Sequence, residues 1–94
     1  MAHYLYILRS LKDGRLYVGE TRDVRRRLVK HNAGLVQSTR HRRPLELVAA
    51  RRFPDRRAAL TYERFLKTLE GSTEKRILVE QGVIEIDGEL SSAG

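Results

Sequence analysis

The stretch HYLYILR, residues 3–9, combines aromatic and branched apolar side chains, which is the composition of a β-strand. Side chains alternate across a strand, so one face would carry three of them: Tyr4, Tyr6 and Leu8. Leu5 and Ile7 would lie on the opposite face. Because both faces are apolar, the stretch predicts a central strand that is covered on both sides.

A second strand is predicted over residues 15–19, directly after the turn signal KDG at residues 12–14. The first two strands therefore form a predicted hairpin. Its turn is longer than two residues, so the turn alone does not determine the register of pairing.

A first helix is predicted after this hairpin, capped by either Thr21 or Asp23 and ending near Asn32. Two of its apolar side chains lie one turn apart and should face the core: Val24 and Leu28. A polar, basic loop over residues 35–43 follows the helix and leads to a third strand at residues 45–53.

Two more helices are predicted, at residues 56–69 and 74–80. The apolar positions of the first follow helical spacing: Ala58, Tyr62, Phe65, Leu66 and Leu69. Gly71 is predicted to end this helix, and Ser72 or Thr73 to cap the next one.

The order β-β-α-β-α-α predicts a domain of the α/β (α+β) class, in which helices flank a three-stranded, mainly antiparallel sheet. We expect this domain to occupy residues 1–81. The acidic tail, residues 82–94, is expected to be loosely held or to add one short strand.

The composition excludes several kinds of function. The 94 residues contain no cysteine, which rules out a disulfide framework, a thiolate metal site and a cysteine nucleophile. No apolar run approaches the roughly 20 residues that span a bilayer, and the N-terminus lacks the pattern of a signal peptide. We therefore expect a single-domain cytoplasmic protein that does not bind membranes.

The net charge of +7 is unevenly distributed along the chain. Residues 1–57 hold 15 basic and 5 acidic side chains, whereas residues 58–94 hold 4 basic and 7 acidic ones. Most of the basic residues are arginines, which form bidentate contacts with phosphate. The distribution favours binding to nucleic acid, although a solubilising role for the charge is the simpler alternative.

Tyr6 and Tyr17, on the two strands of the hairpin, are candidates for a general base or for orienting a water molecule. An unperturbed phenol has a pKa of about 10, so it would need a nearby cation to act as a base at neutral pH. The alternative is that both rings only pack the core, and spacing alone favours this interpretation.

Arg27 and His31 lie four residues apart and therefore share one face of the first helix. Arg27 would sit at the edge of the apolar stripe, where an arginine can reach a phosphate while its stem is packed. The alternative is a helix whose charges are merely solvated, and the pattern leaves both interpretations open.

Glu63, on the second helix, is a candidate ligand for a divalent cation, because Mg²⁺ sites often use one or two carboxylates with water and phosphate oxygens. Glu63 and Lys67 also form a favourable i,i+4 pair. Spacing alone favours this ion pair over a metal site.

Five pieces of the chain, in order, resemble the GIY-YIG nuclease superfamily over about residues 3–80. They are YLY (4–6), YVG (17–19) and the segments 21–32, 39–47 and 59–67. The resemblance is closest to small single-domain members, and the N-terminal nuclease domain of UvrC is also similar. Many members carry an asparagine in the last helical region, and residues 70–82 here contain none.

The resemblance implies a role for each candidate. Glu63 matches the metal-binding glutamate, and Arg27 matches the arginine that contacts the scissile phosphate. Tyr6 and Tyr17 match the two motif tyrosines, one of which is thought to deprotonate or position the attacking water. His31 matches a frequent active-site histidine.

These implications define the expected function: an endonuclease that uses Mg²⁺ (or Mn²⁺) and cleaves DNA rather than RNA, reading structure rather than sequence, as in DNA repair. Other basic side chains would hold the nucleic-acid backbone: Arg22, Arg25, Arg26, Lys30, Arg40, Arg42 and Arg43. One alternative is a non-catalytic nucleic-acid-binding module with the same fold. Another is a protein-interaction domain that recruits an acidic partner.

Overall fold

A computed structural model describes residues 2–86 of the chain. Its elements are, in order, β1 (His3–Ser10), β2 (Leu16–Thr21), α1 (Val24–Asn32), a 3-10 turn (Arg40–Arg42), β3 (Leu45–Phe53), α2 (Arg56–Leu66) and α3 (Gly71–Gln81). Strand β1 lies between β2 and β3 and pairs antiparallel with both. The structure confirms the predicted fold class and the order of the elements.

The central position of β1 follows from its two apolar faces. Every side chain from His3 to Leu8 is buried, because helices cover the sheet on both sides. Tyr6 lies opposite Gly19 of β2 and opposite Ala50 of β3. This register places the second aromatic position of β1 beside the glycine of the YVG motif.

Alternation along β1 creates two different faces of the sheet. The α1 face is the layer between the sheet and α1, and it contains Tyr4, Tyr6, Leu8, Val24 and Leu28. The α2–α3 face is the layer beneath the other two helices, and it contains Leu5, Ile7, Val18, Leu66 and Leu78. The predicted inward orientation of Val24 and Leu28 is confirmed.

The boundary between α2 and α3 differs from the prediction. Helix α2 ends at Leu66, and Leu69 is 89% exposed instead of facing the core. Gly71 begins α3 instead of ending α2. A Cβ at this position would collide with the carbonyl oxygen of Phe65, so only glycine fits there. Its glycine permits close approach of the two helices.

The predicted helix caps are correct for α1 and wrong for α3. The Asp23 side chain accepts a hydrogen bond from the backbone N–H of Arg26 at 3.0 Å, which caps α1. Helix α3 begins after Glu70 without a side-chain cap, so neither Ser72 nor Thr73 has the predicted role.

Part of the predicted tail pairs with the sheet. The backbone N–H of Ala50 donates to the carbonyl of Val83 at 2.7 Å, and Glu85 N–H donates to the carbonyl of Ala50 at 2.9 Å. Ile84 thereby forms a parallel bridge beside β3. The rest of the tail, residues 87–94, lies outside the described residues. Between residues 2 and 86 the helices are too short or too polar to cross a membrane.

Candidate functional site

Four of the five candidate catalytic residues meet on the α1 face. The Tyr6 hydroxyl lies 2.9 Å from Nε2 of His31 and accepts a hydrogen bond from Nε of Arg27 at 3.3 Å. Strand β1 presents Tyr6, while one turn of α1 separates Arg27 from His31. We call Tyr6, Tyr17, Arg27 and His31 the tyrosine–histidine cluster.

Tyr17 completes this cluster from the neighbouring strand β2. Its ring centroid lies 5.1 Å from that of His31, in an edge-to-face arrangement, and 6.2 Å from that of Tyr6. Tyr6 is only 1% exposed, whereas Tyr17 is partly exposed. Both tyrosines therefore pack the core, as the simpler interpretation predicted. Both rings also lie against the imidazole of His31.

Gly19 is required where it stands because the Tyr6 hydroxyl lies directly over its Cα. A Cβ added at Gly19 would come within 2.6 Å of that oxygen and 2.7 Å of the adjacent ring carbon. The absent side chain leaves the space that the phenol occupies. The glycine of the YVG motif thus fixes where the Tyr6 hydroxyl can lie.

Burial controls protonation within the cluster. Burial and, to a smaller extent, the nearby Arg27 charge together lower the pKa of His31 to about 4, so the imidazole is neutral at pH 7. Burial also raises the pKa of Tyr6, despite the opposing effect of the hydrogen bond from Arg27. Tyr6 is therefore a neutral phenol at physiological pH, and an unassisted role as a base is disfavoured.

A basic cleft of about 890 Å³ opens beside the cluster. Its walls are formed by His3, Glu20, Thr21, Arg22, Asp23, Arg26, Arg27, Lys30 and Arg56. Arg27 belongs both to this cleft and to the tyrosine–histidine cluster, so it connects the buried polar groups with the space open to a ligand. Three of the predicted backbone-binding residues line the cleft, namely Arg22, Arg26 and Lys30, whereas Arg25 is exposed outside it.

Sequence reasoning missed the carboxylate inside this cleft. One oxygen of Glu20 lies 2.7 Å from Nε2 of His3, and the other lies 3.7 Å from Nε of Arg56. Arg56 is thereby held at the wall of the cleft and adds a cation there. The sequence carries little signal for this role, because Arg56 is one of two adjacent arginines at the start of α2.

The basic loop forms a second cavity of about 540 Å³, lined by Lys12, Asn32, Arg40, His41, Arg43 and Pro44. Two predicted backbone-binding residues, Arg40 and Arg43, therefore face open space. Arg42 does not, because its guanidinium Nε lies 3.7 Å from the Asp13 carboxylate and its carbonyl accepts a hydrogen bond from Ser10. Its position indicates a structural role in holding the loop against the hairpin turn.

Glu63, the fifth candidate, lies on α2, which packs against the opposite face of the sheet from α1. Its side chain is 16% exposed and accepts a hydrogen bond from Nζ of Lys67 at 2.8 Å. The predicted i,i+4 pair is confirmed. Glu63 is not among the side chains that line either of the two basic cavities.

The side chains present fit a cation that takes most of its ligands from water and phosphate rather than from the protein. Between residues 2 and 86 no cluster of three or more histidine or carboxylate side chains could enclose a metal ion. A single largely buried carboxylate is sufficient for Mg²⁺ when water and phosphate oxygens complete the octahedron. Glu63 fits that requirement, with Lys67 competing for one oxygen.

Thr39 is the residue at this site to which the sequence assigned no role. It is fully buried, and its hydroxyl oxygen lies 2.6 Å from Nδ1 of His31, on the side of the ring away from Tyr6. A threonine in a polar loop gives no sequence signal for this contact.

Comparison with known proteins identifies the family. The family described as GIY-YIG catalytic domain matches residues 2–76. The chain therefore belongs to the GIY-YIG family, as the five motif pieces indicated.

The relatives are small proteins of similar length. A UPF0213 protein of Natronomonas pharaonis is 39% identical over 80 residues, covering 84% of this chain and 93% of the relative. One of Haloquadratum walsbyi is 42% identical over 81 residues, covering 85% of this chain and 89% of the relative. The solution NMR structure of a UPF0213 protein from Bacillus halodurans is similar, with 40% identity, 87% coverage of both chains and a TM-score of 0.52.

Proposed function

We propose that this protein is a metal-dependent endonuclease that hydrolyses phosphodiester bonds in DNA and recognises the structure of its substrate rather than its sequence. The observation that carries the proposal is the cluster of Tyr6, Tyr17, Arg27 and His31, from which Arg27 reaches the wall of a basic cleft. Membership of a family of catalytic domains supports it.

Arg27 is the group best suited to contact the scissile phosphate. Its guanidinium borders the cleft while its Nε donates to Tyr6, so one side chain reaches both the buried phenol and the space open to a ligand. A fixed cation at that point stabilises negative charge that develops on the phosphate oxygens. The hydrogen bond to Tyr6 also raises the pKa of Arg27, which keeps it charged.

The tyrosines and the histidine would position the attacking water. Tyr17 is the more exposed phenol and is the one that solvent can reach. Tyr6 and neutral His31 hold each other and Arg27 in place behind it. In this arrangement Tyr17 touches the water and Tyr6 orients its neighbours.

Glu63 is the residue that would hold Mg²⁺ or Mn²⁺. Such an ion, when bound, supplies Lewis-acid polarisation of the phosphate and assistance to the leaving oxygen. The low exposure of the Glu63 carboxylate and the requirement of Mg²⁺ for only one or two carboxylates support this role.

The cations around the two cavities would hold the flanking backbone, which gives affinity without sequence information. The residues with open space in front of them are Arg22, Arg26, Lys30, Arg40, Arg43 and Arg56. In such a small domain few elements remain to reach base edges. Recognition of branched, flapped or nicked DNA by shape is therefore proposed.

A cleavage panel tests this function. Nicked, flapped, branched, linear and single-stranded DNA, together with RNA, would be incubated with wild-type protein and with Glu63→Gln, in Mg²⁺ or Mn²⁺. The proposal predicts that one DNA structure is cleaved and that Glu63→Gln reduces cleavage by about 10³-fold or more, with binding changed less than about twofold.

A matched variant guards against contaminating nucleases. Glu80 is an exposed glutamate on α3, so Glu80→Gln, purified in the same way, should cleave like the wild type. Equal cleavage by Glu63→Gln and the wild type would overturn the assignment.

A non-catalytic nucleic-acid-binding module is the second candidate. It is favoured by the hydrogen bond that Lys67 donates to Glu63 and by the absence of asparagine from residues 70–82. This candidate predicts no cleavage of any substrate, together with binding that weakens steeply as salt rises.

A further inference from the structure

We propose that Thr39 is a positioning residue that holds His31 in the tautomer with the proton on Nδ1, so that Nε2 accepts a hydrogen bond from the Tyr6 hydroxyl. The catalytic consequence of this inference rests on the proposed nuclease function. The arrangement of protons itself does not.

The first step is the location of Thr39. It lies eight residues after His31, in the loop between α1 and β3, and its side chain is completely shielded from solvent. A buried hydroxyl without a hydrogen-bond partner loses the hydrogen bonds that it makes to water in the unfolded chain, so a partner is expected for it. Here the hydroxyl oxygen lies 2.6 Å from Nδ1 of His31 and 3.5 Å from the carbonyl oxygen of Val36.

The second step is the count of donors and acceptors. Neutral imidazole carries one proton, so one ring nitrogen donates and the other accepts. When Nδ1 donates to Thr39, the threonine hydroxyl is free to donate to the Val36 carbonyl. The Tyr6 hydroxyl then donates to Nε2, and every O–H and N–H in this chain of contacts has an acceptor.

The opposite tautomer satisfies the groups less well. If Nε2 carried the proton, the Tyr6 oxygen would receive hydrogen bonds from both His31 and Arg27. Its own O–H would then have to turn away from Nε2, and the Thr39 hydroxyl would have to turn away from Val36. The Nδ1–H tautomer avoids both rearrangements.

The consequence for the site is a fixed direction of the Tyr6 hydroxyl. With its proton held by Nε2, Tyr6 presents only lone pairs towards Arg27, so it accepts the hydrogen bond from Nε of Arg27. Tyr6 thus holds Arg27 through an N–H donor and leaves Tyr17 as the phenol that can face a ligand. Thr39 itself would not touch the reacting atoms, and it would act through His31 and Tyr6.

Nitrogen-15 NMR of the imidazole tests the proposal directly, because protonated and unprotonated ring nitrogens have well-separated chemical shifts. The wild type at pH 7 should show Nδ1 protonated and Nε2 unprotonated for His31. In Thr39→Val, which keeps the shape but removes the hydroxyl, the Nε2–H tautomer should become the major form. Thr39→Ser should restore the wild-type pattern.

Two results would overturn the proposal: an Nε2–H tautomer in the wild type, or an unchanged tautomer in folded Thr39→Val. If Thr39→Val does not fold, the wild-type and Thr39→Ser spectra still decide it. Thr61→Val is the matched control, because Thr61 is exposed and donates only to its own helix, to the carbonyl of Arg57.

Cleavage kinetics provide the second readout. On a substrate that the wild type cleaves, Thr39→Val should lower kcat by about tenfold, the lower end of the loss seen when a metal-bound histidine loses its orienting partner, with KM unchanged. Thr39→Ser should recover most of that loss. An unchanged kcat would reject the positioning role, whereas absence of cleavage by the wild type would reject the proposed nuclease and leave the NMR result to decide the tautomer.

Discussion

The two faces of the sheet share the central strand β1 and differ in the kind of side chain that they bury. On the α2–α3 face, β1 contributes Leu5 and Ile7 to a layer whose fully buried side chains are all apolar. On the α1 face, the same strand contributes Tyr6, whose hydroxyl contacts His31 and Arg27. Both faces therefore gain stability from apolar burial, but only the α1 face combines it with a buried histidine and phenol that are hydrogen-bonded to each other.

The largest expected effect is on the apolar face. Leu66→Ala removes a fully buried side chain between α2 and the sheet and should lower the free energy of unfolding by about 3 kcal/mol. Leu69→Ala is the matched control, because Leu69 is exposed and its truncation should change stability by less than about 0.5 kcal/mol. Urea unfolding followed by circular dichroism measures both, and equal costs would contradict the assignment of the core.

The next effect is a pH dependence that arises on the polar face. His31 has a pKa of about 4 when folded, compared with 6.5 when unfolded, so between these values the unfolded chain binds a proton that the folded chain excludes. Its contribution to stability is therefore complete above pH 6.5 and declines as the pH falls through 4. The loss is expected to be about 2–3 kcal/mol.

Urea titrations at pH 7, 5.5 and 4 check this expectation. Carboxylates also titrate in this range, so the comparison is with His31→Gln, which should lose less stability between pH 7 and pH 4. His41→Gln alters an exposed histidine, and its free energy of unfolding should change with pH as that of the wild type does. If His31→Gln has the same slope as the wild type, the buried histidine is not the source.

The same contrast explains how much of the structure could be predicted from sequence. Alternation along β1 and the helical spacing of α1 predicted the sheet, both covered faces and the inward direction of Val24. These features depend on the burial of apolar residues, which leaves a periodic pattern in the sequence. The family motifs predict Arg27 and Glu63 as site residues from the sequence alone.

Other features depend on contacts between segments that are distant in sequence. Gly71 looked like the end of a helix, because only the packed structure shows that Phe65 approaches its Cα. Thr39 was one polar residue in a basic loop, and its contact with His31 exists only when α1 and the loop are folded together. Arg42 was grouped with its neighbours, although Asp13 draws its side chain away from them.

A smaller effect concerns the contact between Gly19 and Tyr6. Gly19→Ala places a methyl group against the buried phenol of Tyr6, so it should lower the free energy of unfolding by about 1–3 kcal/mol. In the background of Tyr6→Leu, which removes the end of the ring, the cost of Gly19→Ala should fall by about half or more. Tyr17→Leu is the control background, and there the full cost should remain.

This double-mutant cycle distinguishes the contact between Gly19 and Tyr6 from a general intolerance of β2 to substitution. If Gly19→Ala is equally costly with Tyr6→Leu and with Tyr17→Leu, the phenol of Tyr6 is not what excludes the side chain. The close approach that positions the cluster would then need another explanation.

The smallest effect compares the two aspartates that cap helices on opposite faces of the sheet. Asp23 caps α1 at 3.0 Å and Asp55 caps α2 at 2.9 Å, each through a backbone N–H. Either change to alanine should cost about 1 kcal/mol of stability. Asparagine caps a helix as well as aspartate does, so Asp23→Asn and Asp55→Asn remove the charge and keep the cap.

The two asparagine variants should differ only in binding. Asp23 lines the basic cleft between Arg22 and Arg26, whereas Asp55 lies outside it, so Asp23→Asn should tighten DNA binding at low salt by about two- to fivefold and Asp55→Asn should not. Fluorescence anisotropy with a labelled oligonucleotide at 50 and 200 mM salt measures the difference, which should shrink as salt screens the charge. Equal affinities for the two variants at low salt would mean that DNA does not pass the N-terminal end of α1, because removal of a negative charge from a cleft that holds phosphate must strengthen binding there.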